Sequence, residues 1–289
     1  MVLYFFSFVC VCFAEQESNK RESIMESALE ELSSAQEDAA SDSIICDGRK
    51  WEISESFHYE RSKFESTNLG AEIKLFEVDT AIKRCFKKGS LTLTIPYIYQ
   101  KDAVRITRSL LRTGQVVRIS RENQRSAEGL GDFTLDSVLY VLTEDEKYPV
   151  DLMFYGYVKF PTVDKDHGFG TDEYDVGPGL GLSKRLFERW LISGDVYYTF
   201  IGDPPEQDLR NELKFDGGLA YDLTSKVTLS VTYEQSNALV KQSKSNYEDI
   251  LAGINYMLND SVSFFGEKTF ELNNDYLEES ITFGIAVRF

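Results

Sequence analysis

From Trp51 to the C-terminus, apolar and polar residues alternate in one short stretch after another. In VTLSVTYE, Val227, Leu229, Val231 and Tyr233 fall on one face of an extended chain, opposite Thr228, Ser230, Thr232 and Glu234. In ELKFDGGLAYDL, Leu213, Phe215, Leu219, Tyr221 and Leu223 face away from Glu212, Lys214, Asp216, Gly218 and Asp222. VDLMFYGYVKF and YDVGPGLGLS repeat the pattern with Asp151, Lys159 and Asp175 on the polar side. The closing ITFGIAVRF sets Ile281, Phe283, Ile285, Val287 and Phe289 in one apolar row. A period of two predicts strands. About 12 segments have the roughly 9–11 residues of a strand that crosses a bilayer at a tilt.

Soluble sandwiches and lipocalins alternate with the same period, so further features must separate the cases. The polar face mixes Asp, Glu, Lys, Thr and Gly, as a wet interior requires. The aromatics Trp51, Tyr59, Tyr99, Phe160, Tyr174, Trp190, Phe200, Tyr247 and Tyr276 gather near segment ends, where interface girdles form. The connections are asymmetric. If the first strand rises from the periplasm near Trp51, the lower connections fall at 87–89, 143–148, 186–189, 223–226 and 258–260 and are all short. The upper ones include 101–130, 162–171 and 237–246 and are mostly longer. Short periplasmic turns, long external loops and an even strand count describe an outer-membrane barrel. Closure is required, because an open edge in lipid leaves backbone groups unpaired at several kcal/mol each. The expected fold is therefore all-β, a transmembrane antiparallel barrel of about 12 strands over residues 50–289. Two places strain the pattern. GAEIKLFEVDTAIKRCF carries charge on both faces, and Pro96 and Pro178 inside strands predict a bulge or a local break.

The first 49 residues follow another rule. MVLYFFSFVCVCFA, residues 1–14, reads as a signal peptide ending in the small Ala14 before a polar switch. Residues 15–49 are acidic and rich in Ser, Glu and Ala. Ile24, Ala28, Leu29 and Leu32 lie at helical spacing there, so a short helix or a disordered periplasmic segment is expected. Of the 4 Cys, Cys10 and Cys12 would leave with the signal. Cys46 and Cys85 would then lie on the periplasmic side, a candidate disulfide.

Composition removes several functions. A net charge of -17 opposes binding to nucleic acid. The mean hydropathy of -0.29 would suggest a soluble protein, but barrel strands average out in such a scale. With 2 His and no Cys pair at ligand spacing, no metal site or cofactor is expected. His58 has the polar-face phase of its strand beside Ser54 and Ser56, and His167 lies in the DKDHGFG loop; neither has the context of a nucleophile and base. GPGLGLSK lacks the helix a phosphate loop needs. Instead, Gly177, Gly179 and Gly181 share the inward face. Pairing this strand with its predecessor sets Tyr157 opposite Gly177, Tyr155 opposite Gly179 and Lys159 opposite Asp175, so the tyrosines cover the glycines and Lys159 pairs with Asp175. The candidate interior residues are Asp136, Asp151, Tyr155, Tyr157, Lys159, Asp175, Asp195, Glu212, Lys214, Asp216, Asp222, Glu234 and Asp249. Acids exceed bases such as Lys159, Lys214 and Arg288, so an open lumen would favour cations. The loop acids Asp172 and Glu173 with Asp175 read as solvated charge rather than a divalent-cation site.

GLGDFTLDSVLYVL, followed by YGYVKFPTVDKDHGFGTDEYDVGPGLGLSKRL, resembles the outer-membrane barrel family named for the MetA pathway of phenol degradation. The matching residues are Gly129, Gly131, Asp132, Val158, Lys159, Pro161, Thr162, Gly168, Gly170, Thr171, Ser183 and Lys184, with Val163 where the family often has Gly. The resemblance covers the chain from about Trp51 onward. It implies a transporter-like barrel whose partners are outer-membrane lipid and a small-molecule solute, hydrophobic or aromatic ones included. A terminal aromatic after such alternation also resembles an assembly signal, so Phe289 is expected to be read by the barrel-assembly machinery. The expected function is solute passage without covalent chemistry. The alternatives are a lipid-modifying enzyme or a plugged structural barrel.

Overall fold

The computed structural model describes residues 50–64, 71–101, 109–110, 116–117, 126–144, 147–163, 169, 172–202, 209–237, 246–272 and 277–289. Every described residue belongs to one compact unit, which ends at Phe289. The expected signal peptide and acidic segment, and Cys46, His167 and Tyr276, lie outside the described residues.

The described strands are β1 (Trp51–Phe64), β2 (Ala71–Phe86), β3 (Gly89–Lys101), β4 (Ser109–Leu110), β5 (Val116–Val117), β6 (Ser126–Leu130), β7 (Phe133–Leu142), β8 (Asp151–Phe160), β9 (Asp175–Leu186), β10 (Trp190–Thr199), β11 (Glu212–Thr224), β12 (Val227–Ser236), β13 (Tyr247–Asn259), β14 (Val262–Glu271) and β15 (Leu277–Arg288). β4 and β5 pair only with each other. The rest pair antiparallel with their neighbours in sequence, and β6 and β7 together form one interrupted stave along β3. The result is a closed barrel of 12 staves.

The last strand closes on the first. β15 pairs with β1 from Glu52–Arg288 to Lys63–Leu277, and Trp51 and Phe289 exchange two backbone hydrogen bonds of 3.0 Å. The Phe57 and Phe283 rings stack across this seam at 5.3 Å. The sheet thereby returns to its first strand, as a lipid-crossing sheet requires.

The barrel reverses the soluble arrangement. Large apolar side chains such as Phe154, Leu182, Phe215, Val231, Ile254 and Phe283 lie exposed on the outside. The buried polar residues include Glu60, Glu77, Gln100, Lys159, Asp175, Thr199, Ser263 and Ser280. In water such an outer surface would be unstable; against hydrocarbon it is the favourable one. Outward aromatics mark both rims. Tyr59, Phe76 and Tyr99 form a chain of rings at 4.9 and 6.0 Å, and Phe160 meets Tyr174 at 6.1 Å. At the opposite end Trp190 lies against Tyr221 at 4.5 Å, and the Arg84 guanidinium sits over Trp51. Tyr247 departs from the expected girdle. It pairs with Ser236, which pairs with Lys214, and so shares the phase of the inward face.

Both prolines disturb the ladder where their missing N–H would donate. Opposite Ile95 and Pro96, the stave of β6 and β7 inserts Gly131, Asp132 and Phe133, three residues against two. The Gly131 N–H still reaches the Pro96 carbonyl at 2.9 Å. At Pro178 the β9–β10 ladder stops after Gly179–Tyr197 and resumes as a single bridge between Val176 and Phe200. β2 also finds its phase. Leu75, Glu77 and Cys85 are buried on one side, while Phe76 and Phe86 are exposed on the other. The outward charges Lys74 and Arg84 stand toward the two ends of β2, where long side chains reach the interface. That explains charge on both faces. Cys85, at the short-turn end, is disulfide-bonded.

Candidate functional site

The interior wall built by β7 to β11 concentrates the chemistry. The β8–β9 register places Tyr157 opposite Gly177, Tyr155 opposite Gly179 and Lys159 opposite Asp175. Lys159 Nζ lies 2.5 Å from Asp175 Oδ2, with the side chains 1% and 2% exposed. Asp175 Oδ1 also accepts a hydrogen bond from the Gly202 N–H at 2.8 Å. Two buried charges thus neutralise each other and hold the chain after β10. Burying either alone would cost several kcal/mol.

Two of the three glycines make room for rings, while a Cβ at Gly177 would meet Thr199 Oγ1 at 2.9 Å. A Cβ at Gly179 would meet Tyr197 Cδ1 at 2.6 Å and Tyr155 Cβ at 3.1 Å; at Gly181 it would meet the Tyr155 hydroxyl at 2.5 Å and Asp195 Oδ1. Tyr155 and Tyr197 pack with ring centroids 5.1 Å apart. The Tyr155 hydroxyl donates to Asp195 Oδ1 at 2.8 Å. Tyr155 leans one pair further along β9 than its direct partner, because Tyr197 from β10 fills the space above Gly179.

A cavity of about 320 Å³ opens beside these rings, lined by Asp136, Tyr157, Asp175, Gly177, Tyr197, Thr199, Ile201, Glu212, Lys214 and Asp216. That volume suits a small molecule. Lys214 Nζ lies 3.3 Å from Glu234 Oε1 and 3.6 Å from Asp216 Oδ1. Asp249 stands opposite Glu234 in the β12–β13 register. Asp151 and Asp222 belong to the short-turn end: Asp151 accepts from Ser183 Oγ at 3.0 Å, and Asp222 pairs with Arg185 at 2.8 Å. They fasten the rim and do not line the cavity. A second cavity of about 280 Å³ lies against β12 to β15 and β1, where Arg288 and Glu52 pair at 2.5 Å.

On the β1–β3 wall, β2 brings Glu77 beside His58 and near Glu60 and Asp79. Glu77 is 2% exposed, and neither carboxylate oxygen has a hydrogen-bond partner among the described residues. Sequence reading missed this acid because the charges of β2 fall on both faces. His58 Nδ1 lies 2.8 Å from Thr282 Oγ1, and Nε2 lies 3.7 Å from Glu60 Oε2. A hydroxyl, an imidazole and a carboxylate in line superficially suggest a hydrolase. However, β1 and β15 are paired on both edges through this region, so their backbone N–H groups are already engaged. An oxyanion needs such donors free.

The bulge also has a task. Asp132 Oδ1 accepts from the Thr162 and Val163 N–H groups at 3.1 and 3.2 Å, and Thr162 Oγ1 accepts from the Phe133 N–H at 2.9 Å. The Pro-Thr turn after β8 is thereby tied to the interrupted stave. Val163 serves as well as glycine, because only its N–H is used. Phe169, from the β8–β9 connection, is buried with its ring against Gly129. GPGLGLSK is part of strand β9, and Asp175 is committed to Lys159. Among the described residues no group of His, Cys, Asp and Glu could hold a metal ion.

Among solved structures, the chain is similar to an outer membrane channel from Pseudomonas putida F1, with a TM-score of 0.61 and 13% identity over 88% of this chain and 100% of that one. It also matches the KdgM porin (TM-score 0.47, 8% identity, 81% of this chain and 99% of that). The toluene transporter TodX of P. putida follows (TM-score 0.44, 11% identity, 86% and 91%). At these identities the likeness is one of fold. No curated protein sequence matches. The family described as "Putative MetA-pathway of phenol degradation" matches residues 76–288, from the phase-setting β2 through the closing β15. The chain belongs to that family of outer-membrane barrels.

Proposed function

We propose that the barrel carries small solutes across the outer membrane by diffusion through its interior. The observation that supports this reading most is the cavity of about 320 Å³ inside a closed, lipid-facing sheet, walled by tyrosine rings and charged groups. A barrel serving only as an anchor gains nothing from rings held over Gly179 and Gly181, and each interior charge carries a desolvation cost. Tyr157 and Tyr197 offer faces to a ring-bearing solute, while the carboxylates and Lys214 offer hydrogen bonds.

The purified chain in planar bilayers should give single-channel currents, and liposomes containing it should swell in small sugars or aromatic alcohols. Absence of both current and swelling would refute passage. An enzymatic reading centred on His58 is less supported, since Thr282 replaces the serine such a site would use.

A further inference from the structure

The cavity between β7 and β11 holds more negative charge than its own cations neutralise. Lys159 is committed to Asp175 at 2.5 Å, and Lys214 is shared between Glu234 and Asp216 at 3.3 and 3.6 Å. Among the described residues, Asp136 and Glu212 form no direct ion pair. The register places these two acids in one row. Asp136 stands opposite Tyr157, Tyr157 opposite Gly177, and Thr199 opposite Glu212. The bridge from Val176 to Phe200 aligns Gly177 with Thr199 and completes the row. Gly177 has no side chain of its own in the row, where the Thr199 hydroxyl approaches, and Tyr157 and the neighbouring Tyr197 border the cavity.

Two tyrosine rings and two carboxylates that hydrogen-bond to hydroxyls but form no direct ion pair among the described residues suit one class of ligand. A positive charge is attracted to ring faces and to carboxylates together, and a ring on the same molecule can pack against tyrosine. An aromatic carboxylate would meet like charge in a partly desolvated space, which discriminates against it. A neutral aromatic would gain the ring contacts alone.

We propose that this cavity selects small aromatic solutes that carry a protonated amine, with Asp136 or Glu212, at either end of the row, receiving the ammonium group and Tyr157 or Tyr197 receiving the ring. This rests on the reading of the barrel as a channel. Because the remaining interior acids add a field of the same sign, the same cavity should also pass potassium in preference to chloride.

The test uses the full chain in planar bilayers under a KCl gradient, with benzylamine, benzyl alcohol or benzoate added to one side. The reversal potential should report potassium over chloride. Benzylamine, protonated at neutral pH, should block the current at about tenfold lower concentration than benzyl alcohol, the difference one charge-assisted hydrogen bond supplies. Benzoate should not block in that range. Asp136→Asn with Glu212→Gln keeps side-chain volume and should remove most of the tenfold preference. A barrel that passes no current fails the channel reading itself. A barrel that conducts, yet is blocked alike by benzylamine and benzyl alcohol, or prefers chloride, overturns the ammonium assignment alone. The three-probe comparison on the unmodified chain decides the matter even if the double variant does not insert.

Discussion

At the scale of single residues, the interior is organised by charge compensation. Lys159 and Asp175 are almost fully buried and hold each other at 2.5 Å, so removing one partner strands the other. Lys159→Met should destabilise the barrel by about 3–5 kcal/mol, and Lys159→Met with Asp175→Leu by less than the single change. Urea unfolding followed by the heat-modifiable shift of the folded barrel on gels would measure both. A single variant as stable as the parent would show that Asp175 finds another partner. This pair was legible in advance: both residues lie on the polar phase of adjacent strands, and pairing those strands across the external loop sets them opposite each other. Glu77 was not. Its neighbours Lys74 and Arg84 mask the phase of β2, and only the sheet shows that they reach the rims while Glu77 turns inward.

At the scale of strands, glycine marks where another group needs the space of a side chain. A Cβ on Gly284 would meet Phe265 Cζ and, at 2.5 Å, the Glu55 carbonyl, right at the seam between β15 and β1. A Cβ on Gly217, which lies on an outward phase, would meet nothing within 4 Å. Gly284→Ala should therefore cost about 1–3 kcal/mol, and Gly217→Ala should stay within about 0.5 kcal/mol of the parent. Equal effects at both positions would show that closure does not depend on close packing at Gly284. Strand positions follow from alternation and connection length, which are local properties of the chain. The bulge opposite Pro96 was foreseen as a disturbance. That the insertion would present Asp132 to the Thr162 and Val163 amides could not be read, because those contacts join segments 30 and 31 residues apart.

At the scale of the whole molecule, the apolar exterior requires lipid. Val231 is exposed near the middle of β12, while Thr232 beside it takes the inward phase. Val231→Lys should cost about 2–4 kcal/mol, whereas Thr232→Lys should be tolerated and shift ion selectivity toward anions. Stability measured in lipid vesicles, with the reversal potential alongside, distinguishes the two; a similar cost at both would mean that the interior is as dry as the belt. The sequence by itself determined the barrel, its near-dozen strands and the acidic sign of its interior. Each depends on local alternation, on loop length or on a sum over residues, and none needs to know which strands are neighbours. Only the tertiary structure decided which acids acquire a cation and which remain without one. It also decided that Tyr197 joins Tyr155 above the glycines, and that β2 turns Glu77 into the wall. Those outcomes depend on distances across strands that the linear order does not contain. The cavity arises from that arrangement.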